Sequence, residues 1–139
     1  SGPVVDLHTH LLPERWPDLA EKFGYGGWIS LDHCAPCRAR MVIDGKSFRE
    51  VDDRCWSTER RFADCDSHGV DVQVLSTVPV MFSYWAKPAD ALEVSRLLND
   101  HLAGVVSGLG PHDLRHAPHV QLASVGKPAQ AIVLLLLLL

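Results

Sequence analysis

Two histidines near the start of the sequence, His8 and His10, have the residue type and spacing of metal ligands. They follow a short β-prone run that ends at Leu7, which predicts a strand leading into the pair. Because side chains two residues apart on a strand point to the same face, both imidazoles can reach one ion. Neutral imidazole is a good zinc ligand, so we interpret the pair as two ligands of a Zn²⁺ site. The alternative is a pair of surface histidines at the end of a strand.

A second group of possible metal ligands consists of Cys34 and Cys37, with His33 beside them. A structural zinc site needs a fourth ligand, and no partner pair follows at a suitable spacing. We therefore interpret these cysteines as incidental loop thiols. The start of the sequence lacks a basic segment followed by an apolar one, so we expect a cytosolic protein with reduced cysteines rather than disulfides.

The scaffold of the histidine pair includes a predicted β-hairpin insertion at about residues 38–51. Its turn is Asp44-Gly45, which stands between two β-prone runs and is the strongest short-range hairpin signal in a sequence. Ahead of the hairpin we predict a helix from Pro17 to Phe23 and irregular chain over residues 25–28.

The elements after the hairpin follow the order helix, strand, helix. Ser57 can cap a helix that runs to His68, with Gly69 as its left-handed stop. Residues 70–77 are almost all apolar, which is typical of a strand buried on both faces of a parallel sheet. A long helix begins at Pro88. It carries an apolar stripe at helical spacing, formed by Ala91, Val94, Leu98, Leu102 and Val105.

This order of elements predicts an α/β fold, specifically the first βα units of a barrel with the β-hairpin inserted between them. Barrels of this kind carry their chemistry in the loops that follow the strands. A closed barrel of eight units needs roughly 250 residues, so a chain of 139 residues holds only part of one.

The character of the sequence changes near residue 107, and we predict an aberrant, disordered, Leu-rich tail over residues 107–139. Its histidines, His112, His116 and His119, are interpreted as ordinary loop residues. The nine apolar residues at its end are far fewer than the ~20 that span a bilayer, so we predict no membrane partner. The net charge of −4 gives no electrostatic reason to expect nucleic acid as a partner.

Two other groups of side chains admit a plain interpretation. Phe82, Tyr84 and Trp85 either form the wall of a substrate pocket or pack at the mouth of the barrel. The charged residues of the helix after Ser57, including Arg61, are interpreted as a solvated helix face.

The sequence around the histidine pair, Val5-Asp6-Leu7-His8-Thr9-His10-Leu11-Leu12-Pro13, resembles the opening strand of decarboxylases of the amidohydrolase superfamily. Phe23-Gly24-Tyr25-Gly26-Gly27-Trp28 and Phe48-Arg49 are also similar to these decarboxylases. The longest similar stretch runs from Leu75 to Pro88. The resemblance covers roughly residues 4–106.

The resemblance implies a TIM-type (β/α)8 metal-dependent barrel, with residues 1–106 as its N-terminal part. His8 and His10 match the first two zinc ligands, and Arg49 matches an arginine that binds a substrate carboxylate. A guanidinium suits that role because it meets a carboxylate through two parallel, charged hydrogen bonds. Without the resemblance, Arg49 would be interpreted as a solvated hairpin charge. The other metal ligands and the catalytic histidine are expected on later strands, so this segment contains no predicted catalytic residue.

The function implied by the resemblance is that of a zinc-dependent decarboxylase, a carbon–carbon lyase. Its substrate would be a small dicarboxylate semialdehyde of tryptophan and kynurenine catabolism. The reaction would limit the formation of quinolinate. The resemblance also implies a cytosolic homodimer. Two alternatives stay open, namely a sister decarboxylase or hydrolase of the superfamily and a non-catalytic truncated product. We expect the 139-residue chain to be an incomplete, inactive N-terminal fragment.

Overall fold

The computed structural model describes Gly2 and residues 4–107, which form two small sheets and three helices. The strands are β1 (Val5–Leu11), β2 (Ile29–Ala35), β3 (Arg38–Ile43), β4 (Lys46–Asp52) and β5 (Val72–Thr77). The helices are α1 (Leu19–Phe23), α2 (Thr58–His68) and α3 (Pro88–Ser107), and short 3-10 turns occupy residues 53–55 and 79–81. One sheet pairs β1 with β5 in parallel, and the other is antiparallel in the order β2-β3-β4.

The ends of α2 confirm the prediction made from its capping residues. The Ser57 side chain accepts a hydrogen bond from the Arg60 amide at 3.2 Å, and Gly69 ends the helix with a φ of 66°. The helix predicted from Pro17 is shorter than expected. Asp18 caps it, so α1 begins at Leu19.

The predicted hairpin is confirmed but belongs to a larger sheet. Asp44 and Gly45 have φ values of 48° and 75°, as a two-residue hairpin turn requires, and they join β3 to β4. Strand β2, which was not predicted, adds a third strand by pairing with β3. Three of the seven residues of β2 are polar, and they conceal the alternation of its inward-facing Ile29 and Leu31.

The hydrophobic core lies where the antiparallel sheet, the loop after β5 and α3 meet. The predicted stripe of α3 is confirmed, since Val94, Leu98 and Leu102 are each at most 5% exposed. The buried residues of this core are Leu12, Leu19, Trp28, Ile29, Met41, Met81, Val94 and Leu98.

Strand β5 pairs in parallel as predicted, but it is not buried on both faces. Five of its six residues are only partly buried, and Thr77 alone is fully buried. Within the described residues β1 is its one strand neighbour. The pairing aligns His10 with Ser76 and Leu11 with Thr77, which brings the carboxyl ends of the two strands together.

The described residues therefore form an α/β arrangement with two parallel strands and the helices that follow them, which is compatible with part of a barrel. Helix α3 is described as far as Ser107, and the change in sequence character predicted near this residue stays a prediction. The rest of the predicted tail, with His112, His116 and His119, lies outside the described residues. None of the helices described is both long enough and apolar enough to cross a membrane.

His101 gives α3 an expected pH dependence. Its Nε2 atom is buried and has no hydrogen-bond partner among the described residues. Burial lowers the pKa of His101 from its ordinary value of 6.5. Because the folded pKa lies below the unfolded one, the stability associated with the neutral ring is present above pH 6.5 and is lost as the pH falls through the folded pKa.

We expect the His101→Leu variant to lose less stability on acidification than the unchanged chain. Urea unfolding at about pH 7.5 and about pH 5 measures the difference. The free energy of unfolding at the higher pH shows any change in packing that leucine causes, and the loss on acidification is measured from that value. An equal loss of unfolding free energy in both proteins would contradict this role of His101.

Candidate functional site

The two histidines lie close together in the carboxyl half of β1. Their ring centroids are 5.0 Å apart and the ring planes are nearly perpendicular, at 87°. His8 is exposed and His10 is partly buried. The pairing with β5 shifts by one residue between Asp6 and Thr9, which indicates a bulge at this point of β1. The Asp6 carboxylate accepts a hydrogen bond from the His8 amide at 3.2 Å, and this satisfies a backbone donor within the bulge.

The hydrogen bonds of the His10 ring define which nitrogen is available to a ligand. Its Nδ1 atom lies 3.0 Å from the Thr77 carbonyl oxygen and 2.9 Å from the Ser76 hydroxyl. A carbonyl only accepts, so Nδ1 carries the proton. The Ser76 hydroxyl in turn donates to the Thr9 carbonyl at 3.2 Å, which leaves its oxygen free to accept from His10. In the neutral ring, Nε2 therefore has a free lone pair.

The protonation state of His10 also suits a metal ligand. Burial lowers the pKa of His10 below 6.5, and the positive charges of His8 and Arg61 act in the same direction, while the bond to Thr77 opposes them. The ring is therefore mainly neutral at neutral pH. A metal competes with fewer protons for a ring of this kind.

The two histidines are not joined by a third ligand in the part of the chain that the structure describes. No group of three or more His, Cys, Asp or Glu side chains there is placed to hold a metal ion. Zinc sites use three or four protein ligands, so the assignment of His8 and His10 as two of them stays a prediction.

The cysteines considered as an alternative site are exposed, free thiols. Cys34 contacts the Arg38 carbonyl through Sγ at 3.6 Å. A hydrogen bond with Asp53 raises the pKa of the Cys37 thiol, which keeps it protonated. The other two cysteines, Cys55 and Cys65, are free as well.

Arg49 lies in β4 opposite Met41 of β3. Directly opposed residues of an antiparallel pair share a face, so Arg49 is on the side of the sheet that carries the core, although its own side chain is exposed. Burial raises the pKa of the Cys55 thiol, and Arg49 is near enough to oppose this effect. The Cys55 carbonyl accepts a hydrogen bond from the Leu12 amide at 3.0 Å. Arg49 therefore lies close enough to Cys55, the residue bonded to Leu12 after β1, to act on it electrostatically.

The guanidinium of Arg49 is free to bind an anion. Among residues 4–107 it takes part in no ion pair and no side-chain hydrogen bond. The other arginines of this sheet and of the turn after it are each paired with a carboxylate. The pairs are Arg38 with Glu50 at 2.9 Å, Arg40 with Asp32 at 2.6 Å and Arg54 with Asp52 at 2.6 Å.

The interpretation of the charged residues of α2 as a solvated helix face is wrong for Arg61. Its side chain is partly buried and donates to the carbonyl oxygens of His10 at 3.0 Å and Arg54 at 2.9 Å. It also donates to Gln73 Oε1 at 3.1 Å and to the Thr9 hydroxyl. One signal could have found it: Arg61 stands one helical turn before Cys65, which is 3% exposed, and so lies on the inward face of α2.

Trp85 belongs to a packed aromatic cluster. Its ring centroid is 4.8 Å from that of Trp28 and 6.1 Å from that of Tyr25. It also covers Gly27, where a Cβ atom would come within 2.9 Å of the indole and where φ is 91°. Packing is thus the observed role of Trp85, which still exposes 53% of its surface. The role of Tyr84 as a pocket wall stays a prediction.

The fold and the candidate site define an α/β protein with paired parallel strands and a two-histidine candidate metal site at the carboxyl end of the first strand. No protein-family profile matches the chain. Curated proteins that match it carry the name 2-amino-3-carboxymuconate-6-semialdehyde decarboxylase, and the chain is similar to the part of these proteins that it covers.

The similarity is high but covers only part of each relative. The chain is 61% identical to the Dictyostelium discoideum protein over 103 residues, which are 74% of this chain and 29% of the relative. It is 55% identical to the Caenorhabditis elegans protein over 98 residues, 70% of this chain and 24% of the relative. The Sus scrofa protein is 50% identical over 50 residues, 36% of each chain. The chain thus spans less than a third of the length of the first two relatives.

Proposed function

We propose that the described residues form the first part of a zinc-dependent decarboxylase that acts on 2-amino-3-carboxymuconate-6-semialdehyde. In this proposal His8 and His10 hold the metal, and Arg49 binds a carboxylate of the substrate. The observation that supports it most directly is the histidine pair at the carboxyl end of β1, with the Nε2 lone pair of His10 left free. The substrate and the reaction are those named for the relatives.

The contribution of zinc, when bound, is that of a Lewis acid that polarises an oxygen atom beside it. The chain's own contribution is to hold the two imidazoles rigidly on β1 and to keep the His10 ring neutral. Arg49 meets a substrate carboxylate through two parallel hydrogen bonds and so orients the molecule.

The reaction breaks the bond between the departing carboxyl carbon and the carbon chain of the substrate. The electron pair stays on the chain carbon, a proton joins that carbon, and CO2 leaves, so that 2-aminomuconate semialdehyde remains. The further metal ligands and the proton donor belong, in this proposal, to later strands of a complete barrel. We also propose that the complete enzyme is a cytosolic homodimer in tryptophan catabolism.

The test compares the 139-residue chain with a complete decarboxylase that contains these residues. We expect the complete enzyme to release CO2 from the substrate, to lose this activity on dialysis against a zinc chelator, and to regain it with Zn²⁺. We expect the 139-residue chain alone to show no turnover and to retain zinc weakly, because two ligands make a weak site. Robust turnover by the short chain would contradict this division of the site.

The same comparison separates the alternatives. A complete enzyme that holds zinc but releases no CO2 from this substrate favours a sister enzyme of the superfamily. If the short chain instead occurs as a product in its own right, mixing it with complete subunits tests the non-catalytic alternative. A lowered rate in the mixture would indicate that the short chain regulates the enzyme.

A further inference from the structure

We propose that Arg61 is a positioning residue that fixes the carboxyl end of β1, and with it the His8–His10 pair, against β5 and the turn after β4. The proposal rests on the proposed function and deepens it, because it assigns the support of the metal site. Arg61 touches neither substrate nor metal in this proposal and acts through the backbone of the ligands.

The contacts of Arg61 join three separate elements through one planar group. Its Nη1 atom donates to the carbonyl oxygens of His10 and Arg54, at 3.0 Å and 2.9 Å. Its Nη2 atom donates to Gln73 Oε1 at 3.1 Å and to the Thr9 hydroxyl. A guanidinium holds its donors in a fixed plane, so four simultaneous bonds define the relative positions of β1, β5 and the turn.

The lack of an ion-pair partner distinguishes Arg61 from a residue that serves stability alone. Among residues 4–107 no carboxylate forms an ion pair with it, and burial lowers its pKa. Placing a charge in a partly buried site is costly, and an apolar side chain of similar volume often packs there at no loss of stability. The acceptors around Arg61 are instead neutral oxygens, and two of them belong to Thr9 and His10.

A second set of contacts extends this network from Arg61 to His8. Gln73 accepts from Arg61 through Oε1 and donates through Nε2 to Asp6 Oδ2 at 3.3 Å. The other oxygen of Asp6 accepts the His8 amide at 3.2 Å, within the bulge of β1. The backbone of both histidines is therefore held by the Arg61 network, directly at His10 and through Gln73 and Asp6 at His8.

The position of β1 relative to β5 also decides the state of the His10 ring. The ring is oriented by the Thr77 carbonyl and the Ser76 hydroxyl, which belong to β5. A shift of the carboxyl end of β1 lengthens the bonds of His10 Nδ1 to Thr77 and Ser76. The ring proton can then move from Nδ1 to Nε2, which is the nitrogen that would bind the metal. Outer contacts of this kind orient metal ligands and maintain their affinity.

The experiment uses the complete decarboxylase in four forms: unchanged, Arg61→Ala, Arg61→Lys and Arg60→Ala. Arg60 is the matched control, since it is an exposed arginine on the same helix whose partner is Asp53. The first measurement is the ¹⁵N NMR spectrum of the His10 ring in metal-free protein, which reports the tautomer. The second is zinc affinity by competition with a chromophoric chelator. The third is recovery of zinc affinity when guanidinium ion is added to Arg61→Ala.

We expect the unchanged protein and Arg60→Ala to show His10 protonated at Nδ1. Arg61→Ala should show a mixture of tautomers and a loss of zinc affinity of roughly 10- to 100-fold, recovered in part by guanidinium ion. Arg61→Lys, with one flexible donor group in place of a planar fork, should fall between them.

A folded Arg61→Ala protein with the tautomer and zinc affinity of the unchanged protein would overturn the proposal. If Arg61→Ala does not fold, Arg61→Lys decides in the same way, because an unchanged tautomer and affinity in that variant contradict the need for a planar fork. If the unchanged protein binds no zinc, the proposed function fails. The tautomer comparison in metal-free protein still tests the role of Arg61 in that case.

Discussion

We expect replacement of His10 with alanine in the complete decarboxylase to remove zinc binding and turnover together. The Nε2 lone pair of His10 is the donor that its hydrogen bonds to Thr77 and Ser76 leave available. A site that loses one of three or four ligands retains its metal poorly. Metal stabilisation of developing charge amounts to several kcal/mol, so at tenfold per ~1.4 kcal/mol the rate falls by at least about a thousandfold.

Zinc content by atomic absorption and CO2 release measure the two effects on the same preparation. His68→Ala is the matched control, because His68 is an exposed histidine at the end of α2 that takes no part in the site. It should keep both zinc and activity. A His10→Ala protein with full zinc content would remove His10 from the metal site, and full activity with lost zinc would show that the reaction needs no metal.

The parts of the fold that could be predicted from the sequence are those that local chemistry determines. Ser57 and Gly69 set the ends of α2 through contacts within a few residues, and Asp44-Gly45 sets a hairpin turn by itself. Strand β2 was not predicted because three of its seven residues are polar, so its assignment depends on pairing with β3. The partial exposure of β5 depends on which elements pack over its two faces, and its own apolar run does not reveal this.

The same distinction applies to the candidate site. The proximity of His8 and His10 follows from the two-residue period of a strand. The tautomer of His10 does not follow from local sequence, because Ser76 and Thr77 are 66 and 67 positions away. Arg61 is 51 positions from His10, and its neighbours on α2 are charged, so its sequence context is that of a solvated helix face. These contacts arise only from tertiary packing, which brings β1, β5 and α2 together.

Replacing Arg49 with alanine should produce the opposite pattern to His10→Ala, with zinc retained and substrate binding lost. Hydrogen bonds to charged groups contribute about 1.5–3 kcal/mol, so we expect kcat/KM to fall roughly 10- to 150-fold. The reason is that Arg49 has no carboxylate partner among the described residues and is free for a substrate anion. Steady-state kinetics together with zinc content measure the effect. Arg49→Lys should recover part of the loss, because lysine keeps the charge without the two-pronged geometry.

Arg40→Ala is the matched control for Arg49. Arg40 is an exposed arginine of the same hairpin, but Asp32 already occupies its guanidinium. Its loss should leave kcat/KM unchanged, since exposed ion pairs contribute little. If Arg49→Ala matches Arg40→Ala, Arg49 is a solvated charge and the substrate carboxylate is bound elsewhere. If Arg49→Ala alone loses substrate binding while its zinc content stays intact, the metal and carboxylate functions reside on different elements, β1 for the histidines and β4 for the arginine. The antiparallel sheet β2-β3-β4 would then be part of the active site.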